Sequence, residues 1–280
     1  LEGLEGASRC AAELALLDAV GKDSGESVST VLGKRITDEV FYSGVIPLGS
    51  VPSAVIDALK QKLFGFGQVK VKVGAGDDLK RLEVIRRILG EKADIRVDAN
   101  CAWSAEEALD SIGKMRKFGV SAVEQPVKAD DIAGLKKVTD SVPEVIIADE
   151  SLCTAEDAKK LSAERACNMF NIRISKCGGM LKALEIADIA RDNSIRYQLG
   201  CQVGESGVLS AAGRHFACSV DGIEYFEGSY GRFLLKEDVT NKDTTFKRKG
   251  RAVALNGPGL GVNVSDKVLN KYTVRRSTLE

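Results

Sequence analysis

Hydrophobic and polar residues alternate with a period of two in the segment QVKVKVG, residues 68–74. Such alternation predicts a β-strand with Val69 and Val71 on one face and Lys70 and Lys72 on the other. If the lysine face is turned to water, this is an ordinary edge strand. If it faces a closed interior, the two ammonium groups are candidates for function.

Similar strands recur along the chain, and each is followed by a helical pattern. Eight strands are predicted, at residues 40–47, 68–74, 94–100, 121–127, 144–151, 168–179, 196–202 and 222–228. Apolar residues at helical spacing predict helices between them, over 53–64, 78–89, 104–118, 130–140, 155–164, 180–193 and 206–218. Ser104 and Glu107 form a capping-box pattern, and Thr154 is placed to cap the helix at 155–164.

Regular alternation of strands and helices predicts an α/β fold with parallel strands and right-handed crossovers. Eight such units favour a closed TIM-type barrel. A doubly wound open sheet remains an alternative, although its glycine-rich phosphate loop is not found after the first strand. In a barrel the outer strand faces lie under helices, so the valines of 68–74 are expected outside and the lysines inside, near the rim.

Composition excludes several classes of function. The 280 residues contain 40 basic and 40 acidic side chains, and this balance predicts neither a nucleic-acid partner nor an anionic membrane surface. No apolar run approaches the roughly 20 residues that span a bilayer. Seven cysteines occur without a CxxC pair, which argues against a disulfide framework or a zinc knuckle and suggests a cytoplasmic protein.

Ionisable residues stand near the ends of five consecutive predicted strands: Lys72, Asp98, Glu124, Asp149 and Lys176. Each of them alone would more often be a loop or cap residue. Their regular spacing of 25 to 27 residues instead predicts a ring of charges around the mouth of the barrel.

The residue types of this ring indicate a chemistry. Three carboxylates that meet at one place repel each other unless a cation joins them. Oxygen ligands without His or Cys favour Mg²⁺, with Mn²⁺ as an alternative. Positive surroundings and burial lower the pKa of an ammonium group, so that a lysine amine beside a dication can act as a base. The sequence therefore suggests removal of a proton next to a substrate carboxylate, through an enediolate that the metal stabilises.

Five short motifs resemble the enolase superfamily, and specifically its muconate-lactonizing-enzyme subgroup. They are KVK at 70–72, VDAN at 97–100, VEQP at 123–126, ADES at 148–151 and ISKCGG at 174–179. Their order and spacing match the family over roughly residues 7–265, and GPGLGVNV at 257–264 is similar to its C-terminal return segment.

The resemblance implies a (β/α)₇β barrel with a remnant of an α+β capping domain. It implies Asp98, Glu124 and Asp149 as metal ligands and Lys72 and Lys176 as acid/base residues on opposite faces of the substrate.

Further residues receive roles from the same resemblance. Lys70 is expected to help electrostatically near the substrate carboxylate, Asn100 to support the ligands and contact the substrate, and Glu150 to support the ligands. Glu205 is expected either to contact the substrate or to begin a helix. Glu227 is expected either to bind the substrate or simply to end its strand.

The related mandelate-racemase subgroup uses a histidine from the seventh strand. Here that strand offers Gln198, Cys201 and Gln202, and the one histidine, His215, falls in the following helix. We expect His215 to be a packing or helix-surface residue, so that two lysines carry the proton chemistry.

The resemblance also implies the domain organisation. Residues 1–37 are expected to be a remnant of the N-terminal capping domain, residues 38–235 the barrel, and residues 236–280 a return segment that packs toward the cap. Most of the cap is expected to be missing from this sequence. We also expect a homo-oligomer.

Several reactions fit such a site. The prediction is a metal-dependent isomerase or lyase that acts on a small carboxylate, either cycloisomerase-like or epimerase-like. An o-succinylbenzoate-synthase-like dehydratase is an alternative, and so is a metal-binding barrel without turnover. The pattern EYFEGSYGRFLLKEDVT at 224–240 lacks the Asp-x-Asp typical of dipeptide epimerases and looks more like the cycloisomerases.

Overall fold

Eight parallel strands form the central sheet in the computed structural model, which describes residue 1 and residues 3–275. The strands are β1 Glu39–Phe41, β2 Gly44–Ile46, β3 Gln68–Lys72, β4 Asp94–Asp98, β5 Val120–Glu124, β6 Val145–Ala148, β7 Met169–Ile172, β8 Arg196–Leu199, β9 Ile223–Phe226 and β10 Arg251–Val253. The α-helices are α1 Gly6–Ser24, α2 Val51–Phe64, α3 Asp78–Leu89, α4 Ala105–Met115, α5 Ile132–Ser141, α6 Ala155–Glu164, α7 Met180–Asp192, α8 Gly207–Ser219, α9 Gly231–Leu234 and α10 Asp266–Tyr272. Short 3₁₀ turns cover Val28–Leu32, Arg116–Phe118 and Arg248–Gly250.

Strands β2 to β9 pair in chain order, each parallel to the next. The sheet then closes on itself, because Tyr42 bridges Phe226 and the Ser43 N–H donates a 2.7 Å hydrogen bond to the Phe226 carbonyl. One helix, α2 to α8, connects each strand to its neighbour. The predicted (β/α)₇β barrel is confirmed.

The two faces of the barrel strands have different surroundings. Val69 and Val71 are fully buried in the main core, together with Leu82 and Ile85 of α3. A separate small cluster lies in the bore of the barrel, formed by Ala122, Ile147, Met169 and Tyr225. The valines therefore pack under helices and the lysines of β3 point into the bore, as the alternation predicted.

The predicted helix starts are also found. Ser104 accepts a hydrogen bond from the Glu107 N–H, and the Glu107 side chain accepts one from the Ser104 N–H at 2.8 Å. Thr154 and Asp157 form the same reciprocal pair at the start of α6. These capping boxes satisfy backbone N–H groups that a helix leaves unpaired at its first turn.

The predicted strand at 40–47 is in fact two strands. β1 pairs antiparallel with β10, outside the barrel, whereas β2 belongs to the barrel. Tyr42 and Ser43 lie between them and make the contacts that close the barrel.

The predicted strand at 168–179 was too long, because β7 ends at Ile172. The chain then turns: the Cys177 N–H donates to the Arg173 carbonyl and the Gly179 N–H to the Ile174 carbonyl, both at 2.9 Å. Gly178 and Gly179 have φ of 89° and 124°, values that glycine adopts readily. Lys176 therefore lies in a turn rather than at a strand end.

The first and last parts of the chain contact each other. Asp18 accepts a 2.8 Å hydrogen bond from the Leu260 N–H, and the Val28 N–H donates to the Gly259 carbonyl at 2.9 Å. The division of the chain into a cap remnant, a barrel and a return segment, at residues 37/38 and 235/236, stays a prediction. Residue 2 of its first segment and residues 276–280 of its last lie outside the described residues.

His215 is a packing residue, as expected. It is 2% exposed within α8, and its Nε2 lies 3.0 Å from the Leu260 carbonyl oxygen. Burial lowers the pKa of its imidazole. In the described part of the chain, no helix is both long and apolar enough to cross a bilayer.

Candidate active site

The carboxyl ends of the central strands bring five charged residues to one mouth of the barrel. Lys72, Asp98 and Glu124 are the last residues of β3, β4 and β5. Asp149 and Arg173 directly follow β6 and β7. Parallel strands end at the same edge, so these side chains share one opening, where TIM-barrel enzymes have their active sites.

Lys70 lies below this opening and joins three carboxylates. Its Nζ donates to Glu124 Oε1 at 2.7 Å and to Glu227 Oε2 at 3.1 Å, and lies 3.0 Å from Asp98 Oδ2. Burial alone would lower the pKa of Lys70, but Glu124, Glu227 and Asp98 outweigh it and hold that pKa well above its usual value. Lys70 is therefore a fixed cation in the bore.

Lys72 is more open than Lys70. Its side chain is 27% exposed, against 6% for Lys70, and its Nζ donates to Asp98 Oδ2 and Asn100 Oδ1, both at 2.6 Å. The Asn100 N–H donates to Asp98 Oδ1 at 3.0 Å, and its side-chain amide donates to Glu150 Oε1 at 3.1 Å. Asn100 and Glu150 thus hold Asp98 and Lys72 in place.

Glu124 is buried and surrounded by donors. Lys70 and the Asn171 amide both donate to its Oε1, the latter at 2.8 Å, and Gln198 donates to its Oε2 at 2.9 Å. Burial nevertheless raises the pKa of Glu124 to about 8, more than Lys70 lowers it. A further cation at this position would favour the ionised carboxylate.

Asp149 has a cation on each carboxylate oxygen. Lys176 Nζ lies 2.7 Å from Oδ1, and Arg173 Nη2 lies 2.6 Å from Oδ2. Burial would raise the pKa of Asp149, but Lys176 and Arg173 hold it below its ordinary value. The Asp149 backbone N–H donates to Gln125 Oε1 at 2.9 Å, which fixes the start of this loop.

Lys176 is engaged by three acceptors. Its Nζ donates to Asp149 Oδ1, to the Asp149 carbonyl and, at 3.3 Å, to the Asn171 carbonyl. An ammonium group has three N–H donors, so this set uses all of them. Lys176 therefore holds the turn after β7 against the loop after β6.

Glu205 and Glu227 are both largely enclosed. Glu205 accepts a 2.8 Å hydrogen bond from the Gln202 N–H, and burial raises its pKa to about 7. It does not begin the helix, because α8 starts at Gly207 after Ser206. Glu227 is 6% exposed and lies between Lys70 and Arg96, whose Nη2 is 3.2 Å from its Oε1. Their roles in substrate binding stay predictions.

Several residues of this site received no role from the sequence: Arg96, Gln125, Asn171, Arg173 and Gln198. The period-two rule contains the signal for two of them. Met169 lines the bore, so Asn171 and then Arg173 must point the same way. The alternation of inward-facing positions 169, 171 and 173 is therefore the signal in the sequence that identifies Arg173.

The residues at the mouth fit a divalent metal in their chemistry. Asp98, Glu124 and Asp149 supply carboxylate oxygens only, the ligands that Mg²⁺ and Mn²⁺ prefer, and buried Glu124 calls for a further cation. As they stand, however, their oxygens contact Lys70, Lys72, Arg173 and Lys176, and no three His, Cys, Asp or Glu residues in the described ranges are placed to hold an ion. A metal would have to displace some of these contacts.

A cavity of about 830 Å³ lies at the other end of the barrel. Its lining includes Glu144 and Val145 before and at the start of β6, and Arg196 at the start of β8. These residues are at the amino ends of the strands, far along the barrel from the ring of charges. We therefore take the charged mouth, and not this cavity, as the candidate active site.

The family comparison agrees with this geometry. Residues 54–268 match the family described as enolase C-terminal domain-like. The chain belongs to this family. The relatives of this enolase-family chain include the L-Ala-D/L-Glu epimerase of Bacillus subtilis, 35% identical over 91% of the chain and 70% of the relative. Muconate cycloisomerase 1 of Rhodococcus opacus is 29% identical over 95% of the chain and 72% of the relative.

Solved structures give the same result. A dipeptide epimerase from Enterococcus faecalis V583, complexed with Mg and the dipeptide L-Leu-L-Tyr, superposes with a TM-score of 0.87. It is 28% identical over 94% of this enolase-family chain and 74% of that structure. The predictions of an enolase-superfamily member of the muconate-lactonizing subgroup and of an isomerase are therefore confirmed. The expected homo-oligomer stays a prediction.

Proposed function

We propose that this chain is a divalent-metal-dependent isomerase that moves the proton next to the carboxylate of a small substrate. One observation carries the proposal: Lys72 Nζ lies 2.6 Å from Asp98 Oδ2 at the open rim of the bore. The contact supports the proposal because a lysine, whose amine can accept a proton, lies beside a carboxylate, which can bind a metal. The two groups act on neighbouring atoms of a bound carboxylic acid, its α-carbon and its carboxylate.

Lys72 is proposed as the group that takes and returns the proton. Asn100 and Asp98 accept hydrogen bonds from its Nζ and so fix the direction in which that nitrogen points. The exposed part of the side chain leaves it reachable from the mouth. Lys70, held as a cation by its buried partners, is proposed to favour negative charge that develops in the substrate.

Asp98, Glu124 and Asp149 are proposed to hold Mg²⁺, with Mn²⁺ as a substitute. When bound, this metal supplies charge stabilisation for the substrate carboxylate as the proton leaves. The side chains of Asn171 and Gln198 are proposed to keep Glu124 oriented, since each donates a hydrogen bond to one of its oxygens.

The experiment is exchange of the α-proton with solvent deuterium. The protein with Mg²⁺ in D₂O is incubated with L-Ala-L-Glu, L-Leu-L-Tyr and N-succinyl-L-arginine, and the α-proton signal is followed by NMR. We expect at least one of these acids to exchange. Lys72→Ala should lower the rate by about 10²-fold or more, the usual contribution of a general base. Muconate is tested separately by its loss of ultraviolet absorbance.

Lys80→Ala is the matched control, because Lys80 is a 76% exposed lysine on α3. It should exchange at the wild-type rate. If a substrate loses water and its α-proton does not exchange, the result would support the alternative function, a dehydratase. Absence of exchange and of cycloisomerisation in a protein that binds Mn²⁺ would support a metal-binding barrel without turnover and refute the proposal.

A further inference from the structure

An apolar groove lies beside α2, away from the charged mouth. Its volume is about 690 Å³, and most of the side chains that wall it are aromatic: Phe64, Phe66, Tyr230, Phe233 and Phe246. The ring centroid of Phe246 lies 5.8 Å from that of Phe64 and 5.7 Å from that of Phe233, so these rings form one packed group. Phe64 ends α2 and Phe66 precedes β3, which places this aromatic groove toward the amino ends of the strands.

The aromatic groove occupies a gap in the ring of helices. Seven helices, α2 to α8, connect eight strands, whereas a regular TIM barrel has a helix after each strand. Strand β9 is followed by the four-residue helix α9, Gly231–Leu234. Helix α2 packs against α3 on one side, and the aromatic groove separates it from α9 on the other. The groove therefore lies where an eighth barrel helix would pack.

Apolar side chains are also exposed beside the aromatic groove. Leu63 is 76% exposed and Phe233 is 56% exposed. Ile56, Leu59 and Leu63 recur at helical spacing and are all exposed, although the opposite face of α2 packs on the barrel through Ala54. A helix that is apolar on two faces is typical of a buried element, so the outer face of α2 lacks a partner.

Two polar side chains of the lining are directed to the barrel. The Tyr230 hydroxyl donates to the Ser43 carbonyl at 2.8 Å, and Gln61 Nε2 donates to the Val45 carbonyl at 3.0 Å. Their donors are thus used within the fold. A site for a small molecule needs polar groups that fix the orientation of the ligand. The walls of the aromatic groove instead suit apolar side chains carried by a protein segment.

The charge around the aromatic groove is mostly positive. Lys60 and Arg248 line it, and Lys247 and Lys249 are the neighbours of Arg248 in the chain. Asp57, the acid of the lining, is already paired with Lys60 at 3.0 Å. Within the described ranges, Lys247, Arg248 and Lys249 have no acidic partner. A second copy of this surface would bring like charges together, whereas an acidic partner would be attracted to it.

We propose that the aromatic groove docks an acidic amphipathic helix of another protein. The apolar stripe of that helix fills the space between α2 and Phe233, and its Asp and Glu residues lie against Arg248 and its basic neighbours. Recognition of an apolar helix face by a groove is a common mode of binding. The 14 residues of α2 offer a surface of about 21 Å for such a helix. The inference does not rest on the proposed function, because no residue of the charged mouth takes part.

The test uses designed peptides of about 18 residues, long enough to form a helix, in titrations followed by fluorescence anisotropy. The acidic peptide carries leucines on one helical face, glutamates beside them and alanines elsewhere. In a second peptide lysines replace the glutamates, and in a third the leucines are spread around the helix. We expect saturable binding of the acidic peptide and about tenfold or weaker binding of the other two. Absence of saturable binding, or equal binding of all three peptides, would overturn the inference.

Substitutions of exposed residues locate the binding. Leu63→Ser and Phe233→Ser should each weaken binding of the acidic peptide by about tenfold or more, the loss expected for an anchor of an interface. Leu16→Ser, at a 56% exposed leucine of α1, is the matched control and should bind like the wild type. Unchanged binding in both groove variants would overturn the inference. If thermal unfolding shows that Phe233→Ser destabilises the fold, Leu63→Ser decides alone.

Reversal of charge tests the acidic character of the partner. A double variant with Lys247→Glu and Arg248→Glu should bind the acidic peptide about tenfold more weakly and the lysine peptide more tightly. Lys80→Glu, at a 76% exposed lysine of α3, should change neither affinity. An equal effect of the double variant on both peptides would overturn the inference, because charge would then not select the partner.

Two other occupants of the aromatic groove give different results. A dimer of the wild type in analytical ultracentrifugation that is lost in Leu63→Ser would assign the groove to a second copy of this chain. Binding to phosphatidylserine vesicles that is lost in the same variant would assign it to a membrane surface. Either result would overturn the inference. We expect the oligomeric state and the vesicle binding of Leu63→Ser to equal those of the wild type.

Discussion

Lys72 and Asp98 are register partners on adjacent parallel strands, and their side chains meet at 2.6 Å. The Lys70 ammonium contacts the same Asp98 oxygen at 3.0 Å. Burial would raise the pKa of Asp98, but Lys70 and Lys72 hold it below its ordinary value. A single carboxylate thus fixes the positions of two lysine side chains of β3. Its lowered pKa keeps it ionised, which is the state that binds a metal.

Asp98→Asn should therefore weaken metal binding strongly. The substitution removes one anionic ligand and leaves the two lysines without their shared partner. We expect Mn²⁺ affinity to fall by about 100-fold, at the upper end of the effect of removing a group that supports a metal ligand. Titration followed by electron paramagnetic resonance measures it. Asp110→Asn, on the exposed side of α4, is the control, and an equal loss there would show that the effect is not local.

Glu205 should make the stability of the fold depend on pH. Burial raises its pKa from 4.5 to about 7, so between these values the folded state binds more protons than the unfolded state. Stability from this group is present below pH 4.5 and is lost as the pH rises to 7. Glu205→Gln keeps an acceptor for the Gln202 N–H and removes the charge. At pH 8.5 we expect this variant to be more stable than the wild type by up to about 3 kcal/mol.

Urea denaturation at pH 4.5 and pH 8.5 measures this difference. Glu164→Gln, at the exposed end of α6, controls for the loss of one negative charge from the protein. A stabilisation by Glu205→Gln of equal size at both pH values would contradict the prediction, because it would not arise from ionisation of Glu205.

Gly200 should not tolerate a side chain. A Cβ at this position would lie 2.0 Å from Asn171 Oδ1 and 2.9 Å from Arg173 Cγ. Asn171 would have to move and would lose its hydrogen bond to Glu124. We expect Gly200→Ala to destabilise the protein by about 1–3 kcal/mol, as overpacking commonly does, and to weaken Mn²⁺ binding.

Gly113→Ala is the matched substitution, because nothing lies within 4 Å of the Cβ that it would add on α4. Alanine is the better helix former, so this variant should be stabilised by about 0.5–1 kcal/mol. Chemical denaturation of both variants gives the comparison. Equal stability of the two alanine variants would refute the steric argument for Gly200.

Ser104→Ala should remove one of the capping boxes. Ser104 accepts from the Glu107 N–H and its own N–H donates to the Glu107 carboxylate, so alanine leaves the first turn of α4 less well satisfied. We expect a loss of about 1 kcal/mol in the free energy of unfolding, measured by urea denaturation. Ser111→Ala, at a half-buried position inside the same helix, is the control and should not destabilise the protein, since alanine is the better helix former. A similar loss in both would mean that the cap contributes nothing of its own.

The barrel was predictable from sequence because its strands and helices are periodic. Val69 and Val71 alternate with Lys70 and Lys72, and this alternation, together with the predicted barrel, placed the lysines in the bore. The carboxylates at strand ends followed from the regular length of each strand–helix unit. Local signals were therefore sufficient for the architecture and for most of the rim.

The turn after β7 was not predictable in the same way. Ile172 and Ile174 continue a strand-like pattern, while backbone hydrogen bonds to the Arg173 and Ile174 carbonyls turn the chain. Lys176 was therefore placed at a strand end, and Arg173 was missed. The partners of Lys70 were also beyond reach, since Glu227 lies 157 positions away and only barrel closure brings the two together.

The bridge between Tyr42 and Phe226 has a consequence for how the protein forms. Contacts between residues so distant along the chain are slow to form, because the intervening chain must lose its freedom first. The Lys70–Glu227 pair depends on the same late event. A nascent chain that has not yet produced its last barrel strand would carry Lys70 and Arg96 without Glu227, their shared acidic partner, so the charged bore is complete only after synthesis has passed that strand.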